Sequence, residues 1–155
     1  MPQLVKGGKN VFGWSKVGNS GGIKIPMEVI EEKNLRPSNK VIIMSGSKTS
    51  SGFSIVKIEK LINSPLSIVL DNNPKLANFQ LPNGESIQYN NRFFCWTEIS
   101  NEEKIYLPIE TLKLYGIKPG DNILSARGSG LGVGFIVRGP IIEEAEKHPE
   151  LEIFQ

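Results

Sequence analysis

Residues 22–46, GIKIPMEVIEEKNLRPSNKVIIMSG, return as residues 104–128, KIYLPIETLKLYGIKPGDNILSARG, at an offset of 82 positions and without a gap. Working outward, residues 4–56 lie on residues 86–138. Phe12 falls on Phe94, Trp14 on Trp96, Asn19 on Asn101, Ile23 on Ile105, Pro26 on Pro108, Glu28 on Glu110 and Pro37 on Pro119. Gly46, Ser47, Gly52 and Phe53 fall on Gly128, Ser129, Gly134 and Phe135, and apolar character is kept between the identities, as in Leu35/Ile117, Val41/Ile123 and Ile55/Val137. Tryptophan, proline and glycine each answer a particular packing or backbone demand, so their joint recurrence argues for a duplicated structural unit. The period exceeds the roughly 20–50 residues of solenoid repeats. It predicts two copies of a small β-rich unit and a two-fold or pseudo-two-fold surface.

Each copy opens with a predicted β-hairpin. Strands over residues 3–6 and 9–14 flank Gly7-Gly8, and strands over 86–89 and 92–99 flank Asn90-Asn91, residue types that accept the positive φ of tight turns. A turn over 18–22 or 100–104 leads to a very short strand ending at Pro26 or Pro108. Proline suits a helix start because its missing N–H would go unpaired there. Residues 27–33 and 109–115 read as short helices, with Glu28 and Glu110 placed to complement the dipole and Gly116 as a stop signal. Strands over 40–45 and 122–127 follow, then a Gly/Ser-rich bend, then strands over 53–57 and 134–138. The tails read as helices over 58–62, 65–72 and 141–147. Residues 73–79 (NPKLANF) echo residues 148–154 (HPELEIF), and both read as docking segments. The halves are therefore 1–80 and 81–155, joined without a Gly/Ser linker and expected to form one intertwined globule.

With 155 residues, 39% hydrophobic and 22% charged, the chain has the balance of a folded globular protein rather than a disordered one. No apolar run approaches the roughly 18 residues of a membrane span, and residues 1–11 lack a signal-peptide core. A cytoplasmic protein with no membrane partner is the expectation. The lone Cys95 leaves no internal disulfide and reads as a small buried hydrophobe. His148 has no histidine companion, so neither a metal site nor a Cys–His pair is expected, and nothing calls for a cofactor. No paired carboxylates or nucleophile–base set marks an enzyme. The net charge of +2 is unevenly spread: residues 1–60 hold ten basic and four acidic residues, a balance of +6, and the remainder eight and twelve, a balance of −4. An anionic partner is expected at the first copy.

The segments GIKIPME (22–28) with LRPSNKV (35–41), and KIYLPIE (104–110) with IKPGDNI (117–123), resemble the AbrB/SpoVT-type swapped-hairpin domain. That pattern runs from an alternating apolar strand into Ile-Pro, a short helix, and an apolar-x-x-Gly-Asp turn into a strand. The second copy has the full Pro-Gly-Asp corner, the first has Pro37-Ser38-Asn39, and the likeness covers about 45 residues of each half. It implies a β-rich α+β fold in which two AbrB-like units interlock into a pseudo-two-fold β-barrel with short flanking helices. The exchange is either within one chain, as in the double-repeat MraZ-type relatives, or between chains of a homo-oligomer, most simply a dimer.

The resemblance also implies a DNA-binding transcriptional regulator. Lys6, Lys9, Lys16, Lys24, Lys40 and Lys48 are the candidates for phosphates, and Asn10, Asn19 and Arg92 for base edges. Lys104 occupies the place, before the Ile of the strand, where DNA-binding members often carry arginine; Gly22 occupies it in the first copy. The arginines that such members place four and five residues beyond the proline are replaced by Ile30 and Glu31, and by Leu112 and Lys113. That departure keeps a second reading open, a non-enzymatic small-ligand or protein-partner module that has lost DNA contact.

The stretch RGSGLGVGF (127–135), closed by Arg138, offers a candidate anion cradle in Arg127, Gly128, Ser129, Gly130 and Arg138, because successive glycine N–H groups can converge on an anion. The matching glycines of the first copy favour instead a bulged, strongly twisted hairpin. Phe12, Trp14, Phe93, Phe94 and Trp96 could stack bases, but their recurrence favours core packing.

Overall fold

The structure, a computed structural model, describes residues 3–5, 9–127 and 131–155, with side chains from Val11 onward. The first half forms strands β1 (Gln3–Val5), β2 (Lys9–Lys16) and β3 (Gly22–Lys24), helix α1 (Met27–Glu32), strands β4 (Lys40–Ser45) and β5 (Phe53–Val56), and helices α2 (Ile58–Ile62), α3 (Ser67–Asn72) and α4 (Pro74–Ala77). The second half forms β6 (Ile87–Tyr89), β7 (Arg92–Glu98), β8 (Lys104–Tyr106), α5 (Ile109–Leu114), β9 (Asn122–Arg127), β10 (Val133–Ile136), α6 (Pro140–Ala145) and β11 (Ile153–Phe154). Pro26 and Pro108 stand before α1 and α5 with the same φ of −58°. The expected turn at Gly7-Gly8 lies outside the described residues.

Strands pair across the halves. β2 of the first half runs antiparallel to β9 of the second, and β7 of the second runs antiparallel to β4 of the first. On the repeat offset these two pairings are equivalent. β5 pairs with β10, placing Phe53 opposite Phe135, and β3 pairs with β8, placing Ile23 opposite Ile105. Each of these pairs joins a residue to its own repeat counterpart, so a pseudo-two-fold axis passes between both.

Strand alternation then sorts the apolar side chains. One face of the sheet carries Val41, Ile43, Phe53, Ile55, Cys95, Ile123, Val133 and Phe135, buried in a single core with Val29 and Ile30 of α1, Leu112 of α5, and Ile23 and Ile105 of the β3–β8 pair. Phe53 and Phe135 stack there with ring centroids 5.0 Å apart. The other face has two separate cores. Ile42, Met44, Val56 and Phe94 pack under α2, α3 and α4, while Val11, Leu124, Ala126 and Ile136 pack under α6 and Leu151.

The expected closure into a barrel does not occur. The strands run in the order β1-β2-β9-β10-β5-β4-β7-β6, with β11 attached to β2, in an open sheet whose terminal strands β1 and β6 do not pair with each other. The tails supply the physical reason. Beyond β1, the outer edge of β2 is taken by β11. Beyond β6, that of β7 is met by the Gly84 N–H, which donates to the Trp96 carbonyl at 2.8 Å. The outer edges of β2 and β7 are thus met by local chain, and the helices of each tail cover the sheet face away from the shared core. The fold is a mixed α+β sheet sandwich with six short helices among the described residues.

The gapless repeat also misleads at one strand. Trp14 and Trp96 occupy equivalent outer positions, but Phe12 joins the shared core whereas Phe94 joins the core under α2–α4. The register of β2 against β9 jumps between Val11 and Gly13. The extra residue of this bulge turns Phe12 to the opposite face. Gly13 holds φ +146°, and a Cβ there would come 2.8 Å from both the Glu152 oxygen and the Phe154 ring. The glycine thus permits the bulge and the close docking of the carboxy-terminal tail together.

Two outcomes follow from this packing. Phe53→Ala should cost ~3–5 kcal/mol of unfolding free energy in urea titrations, because it opens a cavity on the axis that the surrounding strands cannot close; a loss below ~1 kcal/mol would contradict the shared core. At the tail, the hydrogen bond to Glu150 and then that to Glu144 raise the His148 pKa above its ordinary 6.5, against partial desolvation. A raised histidine stabilises fully below 6.5 and is lost as pH climbs through the raised value. Glu150, lowered from 4.5 by its own backbone N–H and by His148, stabilises above 4.5 and is lost as pH falls through the lowered value. Trp14 N–H donates to the Glu152 carbonyl at 2.9 Å, so the hydrogen-exchange protection factor of this amide should be greatest between these limits. His148→Gln should remove its decline on the alkaline side.

Candidate anion and duplex interfaces

The predicted contact residues divide between two places. Lys16 ends β2, Asn19 sits in the exposed turn that follows, and Lys40 begins β4 opposite Glu98, the last residue of β7. Lys24 and Lys104 lie beside them in the β3–β8 ribbon. Lys48 and Arg92 sit at the other end of these strands, with Arg127 and Arg138. Lys9 and Asn10 begin β2, and their side chains, like Lys6, Gly128, Ser129 and Gly130, lie outside the described residues.

The ribbon is built twice over. The Ile25 N–H donates to Glu103 O at 2.9 Å and the equivalent Leu107 N–H donates to Gly21 O at 3.2 Å, extending the pairing at both ends. Ser15 Oγ donates to the Lys24 carbonyl at 2.8 Å and, at the matching position, Thr97 Oγ1 to the Tyr106 carbonyl at 3.5 Å, tying the ribbon to β2 and β7. With Ile23 and Ile105 turned inward, alternation turns Lys24, Lys104 and Tyr106 outward. Lys24 is directly opposite Lys104, and Tyr106 lies over Gly22, where a Cβ would come 2.8 Å from its ring.

Like charges opposite each other on neighbouring strands are destabilising. Here the repulsion is partly offset by Glu103, whose carboxylate accepts from Lys24 Nζ at 3.3 Å, while the Glu102 carbonyl accepts at 2.7 Å. Glu103 holds φ +60°, a conformation that its counterpart Gly21 adopts at φ +82° without a side chain. Lys40 is engaged otherwise, its Nζ 5.5 Å from the Trp96 ring centre and 5.6 Å from that of Phe79.

At the other place, the β4–β5 bend packs on the end of β10, where the Val137 and Arg138 N–H groups donate to the Ser50 carbonyl at 3.1 Å. The guanidinium of Arg138, just after β10, donates to the Lys48 carbonyl in the β4–β5 bend at 3.2 Å. Gly52 holds φ +74° against the Phe135 backbone, so this glycine permits the close approach of the bend to β10. Arg127 and Arg92 both border a cleft of about 420 Å³, but from opposite faces of the sheet, Arg127 opposite Val133 on the shared-core side and Arg92 beside Met44 on the other. Its floor is the outer face of β5 and β10, between the two tails, with Ser54 and Gly134 at the centre. Arg127 donates through Nε to Glu32 at 3.1 Å and through Nη2 to the other Glu32 oxygen. Arg92 reaches only Met44 Sδ at 3.8 Å, and no carboxylate pairs with it among the described residues. Beyond Leu131 and Gly132 lies a second cavity of about 350 Å³, lined by Glu32, Lys33, Lys57 and Lys60. Sequence reasoning missed these three lysines. The signal was present in their counterparts Tyr115, Gly139 and Ile142, none of which is charged.

The aromatic residues are taken up by packing: Phe12 and Phe94 are buried, Phe79 meets Trp96 edge-on at 5.6 Å, and the Trp96 indole donates to the Leu81 carbonyl at 2.7 Å. Cys95 is fully buried with Sγ 3.6 Å from the Tyr115 hydroxyl. Burial pushes its thiol up to about 11, with the Tyr115 hydrogen bond pulling the other way, and burial raises the Tyr115 hydroxyl too. Groups of three or more metal-ligating side chains are absent among the described residues, and no helix there is long and apolar enough to cross a membrane.

No family model, curated protein or solved structure matches this chain.

A protonated, enclosed thiol is a poor nucleophile. Iodoacetamide at pH 8 should therefore leave Cys95 unmodified in the folded protein under conditions that alkylate it fully in guanidinium chloride. Equal rates in the two states would contradict its burial.

Proposed function

We propose that the protein is a non-enzymatic, AbrB-related regulator that binds duplex DNA through the ribbon end of its pseudo-two-fold axis. The observation that supports this reading is the pairing of Lys24 with Lys104 on the outward face of β3–β8. Two cations held face to face work against the fold, and an anionic surface laid over them removes the cost. Duplex DNA has local two-fold axes perpendicular to its helix, and a two-stranded antiparallel ribbon fits its major groove. Lys24 and Lys104 are the phosphate contacts, because Lys16 and Lys40 project on the opposite face of the sheet, and Asn19 and Tyr106 are placed to touch sugar or base edges. The two-fold surface is complete within one chain, and pairing of two chains would double it.

The alternative module reading has its own support in the cleft beside Arg92, which lies on the other face of the sheet.

Fluorescence anisotropy with mixed-sequence duplex tests the DNA reading. Two lysine–phosphate contacts give an affinity that falls about tenfold between about 50 and 200 mM salt. Lys24→Glu with Lys104→Glu should abolish binding. Glu103→Gly, which copies Gly21 and frees Lys24, should tighten it several-fold. Binding that survives the double substitution would refute the ribbon as the contact, and no binding at low salt would refute the function.

A further inference from the structure

The two halves provide an internal comparison at their tryptophans. Trp14 lies opposite Leu124 and Trp96 opposite Ile42, so the strand register places the two indoles equivalently. Asn122 of β9 then stands where β4 has Lys40. Around Trp96 the surroundings are complete. The Lys40 ammonium is 5.5 Å from the Trp96 ring centre and 5.6 Å from that of Phe79, and Phe79 meets Trp96 edge-on. A cation within about 6 Å of a ring centre is attracted by the negative face of the π system. The chain thus fills this place with an alkylammonium of its own.

Around Trp14 both occupants are missing. Asn122 carries no charge, and Phe154, which echoes Phe79 in the tail, lies over Gly13, where a Cβ would come 2.8 Å from its ring. What remains beside Trp14 is a cavity of about 470 Å³, within the range that small organic ligands occupy. Trp14, Ile142 and Leu151 give it apolar wall, and Asn122, Glu146 and His148 are its polar lining. Among the described residues no cation stands over Trp14, and no basic group pairs with Glu146. His148 is held between two carboxylates, Glu150 at 2.8 Å and Glu144 at 3.5 Å, and Lys147 reaches Glu144 at 3.7 Å. Three carboxylates thus stand against one imidazole and one ammonium. Lys16, opposite Asn122, is exposed and does not line the cavity. Apart from Trp14, the lining comes from the acidic part of the chain.

We propose that the cavity beside Trp14 binds a small alkylammonium ion, which takes the place over the indole that Lys40 fills in the other half. The ammonium lies over the Trp14 ring and toward Glu146, and the alkyl chain runs along Ile142 and Leu151. Asn122 sets the difference between the halves, because a lysine there would occupy the site from within the chain. The cavity belongs to the core under α6, on the face of the sheet away from the β3–β8 ribbon, so it stands whether or not the ribbon binds DNA.

The test uses the full chain and three probes of similar shape: n-butylammonium, which matches the lysine side chain, neutral n-butanol, and n-butyrate. NMR titration at constant ionic strength reads both affinity and place, from the Trp14 indole signal and the amides of Asn122 and Glu146. Butylammonium should bind with Kd about 10 mM or tighter, several-fold tighter than butanol, and butyrate more weakly than either. Asn122→Lys, which copies the other half, should weaken butylammonium binding roughly tenfold or more by filling the place over the ring. Glu146→Gln should weaken it several-fold, and Trp14→Leu should abolish it. Should Trp14→Leu impair folding, Asn122→Lys, at an exposed position, carries the test. The proposal fails if the butylammonium Kd is weaker than about 10 mM, if butanol binds as tightly, or if Asn122→Lys binds as well as the parent.

Discussion

The pairing of β2 with β9 and of β4 with β7 governs where every other element can lie. Each half contributes strands whose apolar faces meet only when interleaved with those of the other. Phe53 against Phe135 and Ile23 against Ile105 close the core along the axis, and neither contact exists within one half. From this follow the placement of α1 and α5 on the shared core, the ribbon on one side, and the central cleft on the other. The exchange extends to the tails. Residues after β5 pack beside Trp96, and residues after β10 pack beside Trp14, so each tail covers a strand belonging to the opposite half.

Much of the local structure was legible because its causes are local. Proline at the entry to α1 and α5, acid in their first turns, and glycine after α5 place these helices within a residue or so of the expected spans. Strands 40–45 and 122–127 follow from alternation and match β4 and β9. Closure was not legible, because it depends on what occupies a strand edge. The two-residue strand Ile153–Phe154 and the Gly84 contact each settle an edge, and neither carries a periodic signal. The bulge at Gly13 was hidden for a related reason. A glycine within a strand marks a place where a bulge is possible, but not that the register against β9 shifts there and turns Phe12 inward.

The candidate contacts were legible as charges and not as places. Ten basic residues in the first sixty point to an anionic partner, yet the chain distributes them between the ribbon end, the bends and the cavity beside α1. Lys24 and Lys104 become neighbours only through a pairing between halves, and Arg92 and Arg127, both named from sequence, lie on strands that β4, β5 and β10 separate. Duplication explains this pattern physically. Two copies under one architecture keep the residues that pack and are free to differ where packing does not constrain them. The differences are concentrated around the ribbon, the cleft and the lysine-lined cavity.

Interleaving is tested most directly by separating the halves. Residues 1–80 and 81–155, expressed apart, should each lack a cooperatively folded monomer by circular dichroism and sedimentation. Mixed in equal amounts, they should fold into a one-to-one complex with the unfolding transition of the intact chain. A half that folds cooperatively as a monomer, indifferent to the other, would contradict the account.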